Sequence, residues 1–416
     1  MFRCMQCAGA IFSQSCWCIG VGNLSRLLFR MTRSSNTSCS PEFIHEVTTR
    51  GNSRIARGAF GEIAVGLETR NRRWVAIKTV LPPPANDDDD TVLDELTALQ
   101  QLGTHENICN LLTSYPSRHG FTAGTLQCLA LEYCPLDLYQ SLEWRRRRFG
   151  GILLSMAVIR CLAHDLFQGL AHMHSHHILH ADIKPGNLLL TERGRLKICD
   201  FGLAKKFPPT STEPDKALCT LHYRPPELLL GDLSAVHPSV DVFSAGCVVA
   251  ELLQGRILFA GRTVLDQVSR VLSILGTPTE SHWADALSLP DWQNFPMQHK
   301  PPQAWSVVLP RCTEEKGLED FLSQTIALDP KTRISTADAL QHEWLSQSTA
   351  TAGEVNQSSL CDSLLPTELQ IPPIILTPPT SSETPVPQDW KVADDQILEL
   401  AAKRRGVLSS LEPWGK

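Results

Sequence analysis

Apolar residues recur along the chain first with the period of a strand and then with the period of a helix. They alternate in "RIARGAFGEIAVGLE" around Gly58 and Gly61, which predicts a glycine turn between two strands. The run "RRWVAIKTV" that follows is also rich in strand-forming residues. In "DDDDTVLDELTALQQL", Val92, Leu96 and Leu99 share one helical face, and the aspartate run suits the start of a helix. A longer apolar helix is predicted over "SMAVIRCLAHDLFQGLAHMHSHH".

Length, charge and cysteine usage restrict the class of protein. The 416 residues are enough for two or three domains, or for one large bilobal enzyme with tails. A formal net charge of -6 argues against a general nucleic-acid binder. Most of the 14 cysteines stand singly inside apolar segments, which is typical of reduced core residues in an intracellular protein. No run of about 18 apolar residues occurs, so we predict no membrane span and no membrane partner.

The two ends differ in composition from the middle. Residues 1–46 form a basic, cysteine-rich leader, which we expect to be disordered or an upstream extension with Met31 as the true start. A transit peptide and a cysteine metal knuckle are the alternatives. Residues 347–416 are rich in Ser, Thr and Pro, which predicts a solvated linker with one short helix near 392–405. Thr377 and Thr384 each precede a proline and are candidate phosphorylation sites.

Four charged or glycine positions in the first part indicate a phosphate site. A glycine turn between strands can bring backbone N–H groups over phosphates, although a plain hairpin has the same pattern. Lys78 in "VAIK" lies on the strand-forming run that follows the turn, and Glu95 lies on the next predicted helix. A lysine that holds phosphates needs a carboxylate to fix it, so we predict a Lys78–Glu95 pair rather than a surface salt bridge at Glu95.

The stretch "HILHADIKPGN" places a carboxylate, a lysine and an amide at Asp182, Lys184 and Asn187. This spacing suits a loop that holds a hydroxyl group beside a metal-bound phosphate. Asp200 in "CDFGLA" supplies a second candidate metal ligand.

The ordered set of motifs resembles the eukaryotic protein kinases, and "LGTPTESHW" with the later "LPDW" resembles the insert of the cyclin-dependent-kinase-like group. The resemblance implies an α+β bilobal fold over residues 47–346. It divides into a small β-rich N-lobe with helix C (47–131), a hinge (132–136) and a large α-helical C-lobe (137–346). It also implies a protein serine/threonine kinase that uses ATP and Mg²⁺.

The resemblance assigns a role to individual residues. Catalysis is expected from Asp182, Lys184 and Thr220, and metal binding from Asn187 and Asp200. ATP binding is expected at Ile55, Ala56, Gly58, Gly61, Ile63, Lys78, Glu95, Glu132 and Cys134, the last two through backbone groups. Ala56 stands where the family's loop has its first glycine. In the activation segment the assigned residues are Lys205, Asp215, Arg224 and Glu227, of which Glu227 is expected to pair with Arg333. Asp241 is expected to cap the catalytic-loop backbone.

The activation segment departs from the family in a coordinated way. Cyclin-dependent kinases grip a phosphothreonine with three basic residues, and the matching places here hold Ala181, Asp94 and Lys205, with Asp215 in place of the threonine. A phosphate carries nearly two negative charges and requires arginines. We therefore predict a segment that is held without phosphorylation, with Lys205–Asp215 as one pair. Drift in an exposed loop and a displaced phosphosite at Ser211 or Thr212 are the alternatives.

These departures favour one function over two rivals. The acidic helix-C segment makes cyclin binding doubtful, and a kinase without phosphate or cyclin is similar to the single-subunit fungal CDK-activating kinases, whose substrates are other cyclin-dependent kinases. A proline-directed, cyclin-bound kinase is the alternative, supported by Arg224. A pseudokinase scaffold is the alternative of another class, docking through helix C, the tail or Arg145–Arg148, a run that is otherwise a solvated loop. The family resemblance implies nucleus and cytoplasm.

Overall fold

The computed structural model describes most of the region between the two ends of the chain. Its described residues are 44–46, 54–58, 61–68, 73–80, 95–116, 127–151, 153–208, 219–232, 237–295, 298–351, 364–365 and 399–400. Most of the leader and most of the tail helix near 392–405 lie outside them, as do Val92, Asp94 and Asp215.

The N-terminal part is an antiparallel sheet of six strands with one helix. The strands are β1 (Ile44–Glu46), β2 (Arg54–Gly58), β3 (Gly61–Glu68), β4 (Arg73–Val80), β5 (Leu111–Pro116) and β6 (Gln127–Glu132). Their order is β1-β3-β4-β6-β5, and β2 pairs with the same β3 as β1 does. Helix α1 (Glu95–Leu102) buries Ala98, Leu99 and Leu102 against the core. Of the predicted apolar face, Leu99 is buried and Leu96 is partly buried, and Val92 lies outside the described residues.

The C-terminal part is mainly helical. Its helices are α2 (Leu138–Arg148), α3 (Met156–Ser175), α4 (Pro226–Leu229), α5 (Ser239–Gln254), α6 (Val264–Leu275), α7 (Glu280–Trp283), α8 (Trp305–Val308), α9 (Leu318–Thr325), α10 (Thr336–Gln341) and α11 (Glu343–Thr351). Short 3-10 helices lie at Pro185–Asn187, Leu221–Tyr223, Ala284–Ser288, Trp292–Asn294, Pro310–Glu314 and Pro330–Thr332. Two small sheets complete it, formed by β7 (Leu136–Asp137), β9 (Leu188–Leu190) and β10 (Leu196–Ile198), and by β8 (Ile178–Leu179) with β11 (Lys205–Lys206).

One apolar core runs through both lobes. Helix α3 begins at its N-cap Ser155, whose side chain accepts from the amide of Val158, and it buries an apolar face along its whole length. The loop after α1 is hydrogen-bonded to β10 of the C-terminal part. Its Cys109 amide donates to Ile198 O at 2.8 Å, and the Ile198 amide donates to Asn107 O at 2.9 Å. The expected α+β bilobal fold is confirmed.

One expectation about an exposed segment is wrong. The arginine run at Arg145–Arg148 is the last turn of α2, not a loop, and its cations interact favourably with the negative end of the helix dipole. In the tail, most of which is predicted to be a solvated linker, the described residues Leu364 and Leu400 are 0% and 1% exposed. Helix α11 extends five residues beyond the expected end of the kinase domain at residue 346.

None of the described helices combines the length and apolar character that a bilayer crossing requires.

A buried ion pair ties α4 to the base of the C-lobe, as predicted. Both terminal nitrogens of Arg333 donate to the Glu227 carboxylate at 2.6 Å, and the two side chains are almost fully buried. The guanidinium also lies over the ring of Phe243, 4.9 Å from its centre. Each partner satisfies the charge that the other would leave buried.

Replacing Arg333 by alanine should therefore lower the free energy of unfolding by about 3–5 kcal/mol, because Glu227 would be left as a buried, unpaired charge. Urea denaturation measures the change. Lys331→Ala is the matched control, since its pair with Asp285 lies on the surface, and it should leave stability unchanged. Equal losses in the two variants would show that burial of the Arg333 pair does not matter.

Candidate active site

Lys78 on β4 lies between two carboxylates from different parts of the fold. Its Nζ is 2.6 Å from Glu95 Oε2 on α1 and 2.7 Å from Asp200 Oδ1. Burial lowers the pKa of Lys78, but the two carboxylates outweigh it and raise the pKa to about 12, so the lysine is charged at any working pH. Burial likewise raises the pKa of Asp200, yet the Lys78 charge brings it below its ordinary value. The predicted Lys78–Glu95 pair is present.

The side chain of Asp182 is held on both oxygens. Oδ1 accepts from Thr220 Oγ1 at 2.6 Å and from the Thr220 amide at 3.0 Å. Oδ2 accepts from Lys184 Nζ at 2.5 Å and from Asn187 Nδ2 at 3.0 Å, and Lys184 also donates to Thr220 Oγ1 at 3.0 Å. Four donors thus fix a single carboxylate at the mouth of the loop, where it can orient a hydroxyl group.

The loop around Asp182 is held from below by Asp241, as predicted. The amides of His180 and Ala181 donate to its two oxygens at 2.8 and 2.9 Å, and Ala181 has φ +65°. His180, to which sequence reasoning gave no role, accepts from the Asp182 amide through Nδ1 and donates through Nε2 to Cys199 O at 3.0 Å. It therefore joins the Asp182 loop to the segment before Asp200. Its position two residues before Asp182 was the sequence feature that could have indicated this role.

The two predicted metal ligands present suitable oxygen atoms. Asn187 donates both hydrogens of its amide to Asp182, to the backbone and side-chain oxygens, which leaves its Oδ1 for a cation. Asp200 contacts Lys78 through Oδ1 only. One carboxylate and one amide oxygen suit Mg²⁺, which takes its remaining ligands from water and substrate phosphates.

Gly61, the first residue of β3 after the glycine turn, lies close against β4. Gly61 has φ +148°, and a Cβ atom there would lie 2.0 Å from Thr79 O, so no larger residue fits without a shift of the backbone. The other predicted residues of this loop lie on its two strands, Ile55, Ala56 and Gly58 on β2 and Ile63 on β3, opposite Lys78.

Between the lobes, Glu132 ends β6 and Cys134 stands two residues later. The Glu132 amide donates to Asn110 O at 3.0 Å, so it is the Glu132 carbonyl and the backbone of Cys134 that can face a ligand. The Glu132 side chain contacts Lys197 Nζ at 2.9 Å and accepts from Asn110 Nδ2 at 3.0 Å. Lys197 and Asn110 were not predicted. They lie on β10 and in the loop before β5, and they fix the hinge to both lobes.

The activation segment is described at its two ends. Lys205 lies buried in β11, whereas Asp215 lies outside the described residues, so the Lys205–Asp215 pair stays a prediction. Arg224 donates to Cys219 O through Nε at 3.2 Å and Nη2 at 2.8 Å, and Cys219 has φ +61°. The segment beyond Arg224 is tied down by Glu227.

The protein kinase domain family matches residues 50–345, about seven tenths of the chain. The chain belongs to the protein kinase family. Cell division control protein 2 homolog 3 of Trypanosoma brucei brucei is 35% identical over 296 residues, which cover 70% of this chain and 90% of that protein. Cyclin-dependent kinase G1 of Arabidopsis thaliana is 36% identical over 304 residues, which cover 70% of this chain and 48% of that protein.

A solved structure is also similar to the kinase. It is the CAK complex of Chaetomium thermophilum bound to ATP-gamma-S, with a TM-score of 0.64 and 29% identity over 73% of this chain and 91% of the other. Because the protein has these relatives, we identify it as a cyclin-dependent-kinase-like serine/threonine kinase that uses ATP and Mg²⁺. Because the described site holds the whole set of expected polar groups, the scaffold hypothesis loses its support.

Substitution of Glu95 by glutamine should lower kcat/KM on the order of 100-fold, because the neutral amide no longer holds Lys78 in position between the lobes. Steady-state kinetics with a protein substrate measures the change. The control is Glu280→Gln, an exposed glutamate on α7, which should retain wild-type kinetics. Unchanged kinetics in the Glu95 variant would contradict a positioning role for this pair.

The buried carboxylate of Glu251 lies under the segment that carries Thr220. Tyr223 Oη donates to Glu251 Oε2 on α5 at 2.6 Å. Burial raises the pKa of Glu251 from 4.5 to about 7, although the hydrogen bond from Tyr223 acts in the opposite direction. The folded protein therefore binds a proton that the unfolded chain has lost between these pH values.

The free energy of unfolding contributed by Glu251 should consequently fall as pH rises from about 4.5 to about 7 and stay level above it. Glu251→Gln removes this contribution, so the stability of the variant relative to wild type should rise over that range by on the order of 3 kcal/mol. Urea titrations at several pH values measure the difference. The exposed control Glu192→Gln should follow wild type; a parallel curve for Glu251→Gln would overturn the assignment.

Proposed function

We propose that this kinase phosphorylates the activation-segment threonine of other cyclin-dependent kinases and needs no phosphate on its own activation segment. The observation that carries the second part is the packing of Ala181. This residue is 0% exposed and belongs to an apolar cluster with Leu179, Cys219, Leu228 and Val240. In related kinases an arginine at this place reaches a phosphate.

The cluster joins the elements that a phosphate would otherwise hold together. Ala181 lies in the catalytic loop, Cys219 at the end of the activation segment, Leu228 on α4 and Val240 on α5. The Cys219 amide also donates to Ala181 O at 2.9 Å. Apolar burial and a backbone hydrogen bond need no modification to form, and salt does not screen them as it screens a pair of charges. The activation segment is thus anchored to the catalytic loop by groups present in the unmodified chain.

Sequence and likeness support the choice of substrate. Asp94 and Asp215 replace a basic residue and a phosphothreonine of the related kinases, and the acidic helix-C segment argues against cyclin binding. The likeness to a chain of the CAK complex favours a cyclin-dependent kinase as substrate. We also propose that the kinase works in the nucleus and the cytoplasm.

The residues would divide the reaction as follows. Asp182 orients the hydroxyl group of the substrate, and Lys184 neutralises charge on the transferred phosphoryl group. Lys78 holds the inner phosphates, with Glu95 fixing its position, and the backbone at Glu132 and Cys134 binds adenine. Mg²⁺ held by Asn187 and Asp200 supplies positive charge beside the phosphates.

A second candidate function is favoured by Arg224. Arg224 donates two hydrogen bonds to Cys219 O, and these bonds hold Cys219 in the left-handed conformation. In the cyclin-dependent kinases an arginine at this place supports recognition of proline after the phosphoacceptor. The same geometry is therefore compatible with a proline-directed kinase.

The test uses the purified full chain alone, before and after phosphatase treatment, with ATP and Mg²⁺. The purified kinase is given three kinds of substrate. They are an intact, catalytically inactive cyclin-dependent kinase, the same protein with its activation-segment threonine replaced by alanine, and a matched pair of Ser-Pro and Ser-Ala peptides. We expect labelling of the threonine without cyclin and no loss after phosphatase. Asp200→Asn is the inactive control.

Each other result has a separate meaning. Labelling of the Ser-Pro peptide alone, and only after a cyclin is added, would favour the proline-directed kinase. A loss of activity after phosphatase treatment would contradict the unmodified activation segment, and mapping would then decide between Ser211 and Thr212. Absence of labelling on every substrate would refute both candidates.

A further inference from the structure

Helix α2 carries a small polar residue in the middle of its buried face. Leu138 and Leu142 lie one turn apart on this face and pack into the core, and Ser141 stands beside them at 0% exposure. A serine fills less volume than a leucine at such a position. A buried hydroxyl group is also costly unless it finds an acceptor.

The tail of the chain supplies both the volume and the acceptor. Ser141 Oγ donates to Leu364 O at 2.5 Å, and the Leu364 side chain is 0% exposed within the same apolar core. Leu365 packs against that core as a partly buried neighbour. The contact joins positions 223 residues apart in the sequence.

We propose that the inner face of α2 at Ser141 is a docking site for the C-terminal tail of the same chain, with Leu364 as the anchor. The docked tail holds α2 in place. This helix begins just after the hinge, and it lies against Pro185–Asn187, the short helix that carries Asn187. The tail is thus a support of the nucleotide-binding half of the C-lobe.

Chain length allows the tail to reach α2 within one molecule. Helix α11 ends at Thr351, and the 13 steps from there to Leu364 can span up to about 45 Å. The contact between Ser141 and Leu364 is formed within one chain. A tail from a second copy is therefore not required to fill the site.

Charge favours the same occupant. Residues 352–398 contain seven acidic residues and one lysine, whereas the last turn of α2 carries Arg145–Arg148. An acidic tail is attracted to this end of the helix at low ionic strength.

Hydrogen–deuterium exchange of the full-length kinase tests the proposal. Leu364→Ala should speed exchange of the amides of α2 about tenfold, because the support of the helix is lost. Leu265→Ala is the matched control, a leucine of α6 that is 55% exposed, and it should leave α2 unchanged. Unchanged exchange in the Leu364 variant would overturn the proposal.

A second variant works from the other side of the contact. Ser141→Leu fills the site from the helix, so the amides of residues 364 and 365 should exchange faster while α2 stays protected. If those amides keep their wild-type rates, the tail is not held at Ser141 and the proposal fails.

The source of the tail is tested by concentration. Docking within one chain predicts that wild-type protection of α2 is the same at low and high protein concentration and that the kinase sediments as a monomer. Protection that appears only at high concentration, together with a dimer, would assign the site to a second copy and refute the proposed occupant.

Discussion

The geometry of the active site depends on one carboxylate that contacts no substrate. Asp241 is fully buried and accepts from the amides of His180 and Ala181 and from His174 Nε2. A residue other than glycine at φ +65° is strained, and such a conformation persists only where its surroundings impose it. Two hydrogen bonds to a buried charge impose it here. The turn at Ala181 then directs Asp182 towards its four donors.

The N-lobe is joined to this loop by a second charged group, Lys78. Because it contacts Glu95 on α1 and Asp200 at the same time, a movement of α1 changes the position of both carboxylates. His180 continues the connection, since it bonds to Cys199 O beside Asp200 and to the amide of Asp182. The phosphate-binding lysine and the catalytic aspartate are therefore parts of one network of hydrogen bonds that crosses the cleft.

Sequence reasoning could predict the parts of this network that lie in short, ordered motifs. Periods of 2 and 3.6 residues predict strands and helices. The need to fix a phosphate-binding lysine predicted the pairing of Lys78 with Glu95, and the resemblance to a known family supplied the pairing of Glu227 with Arg333. Sequence reasoning could not predict that Lys197 and Asn110 would meet at Glu132, because each stands in a segment without a distinctive pattern. The docking of Leu364 was missed for another reason. A Ser-, Thr- and Pro-rich composition indicates that a segment cannot form a core of its own, but not that one leucine can enter the core of a neighbouring domain.

The replacement of a phosphate clamp by Ala181 changes the kind of control that the fold allows. A clamp of arginines around a phosphate is a switch, because its stabilising energy is present only after modification and is lost on dephosphorylation. An apolar cluster of Leu179, Ala181, Cys219 and Leu228 has no second state of comparable energy, since undoing it would expose its buried side chains to water. Under the proposed function, a kinase built in this way would be active once it is folded and supplied with nucleotide. Control would then act on contacts outside the cluster, and the contact of the tail with α2 is one that a change in the tail could alter without touching a catalytic residue.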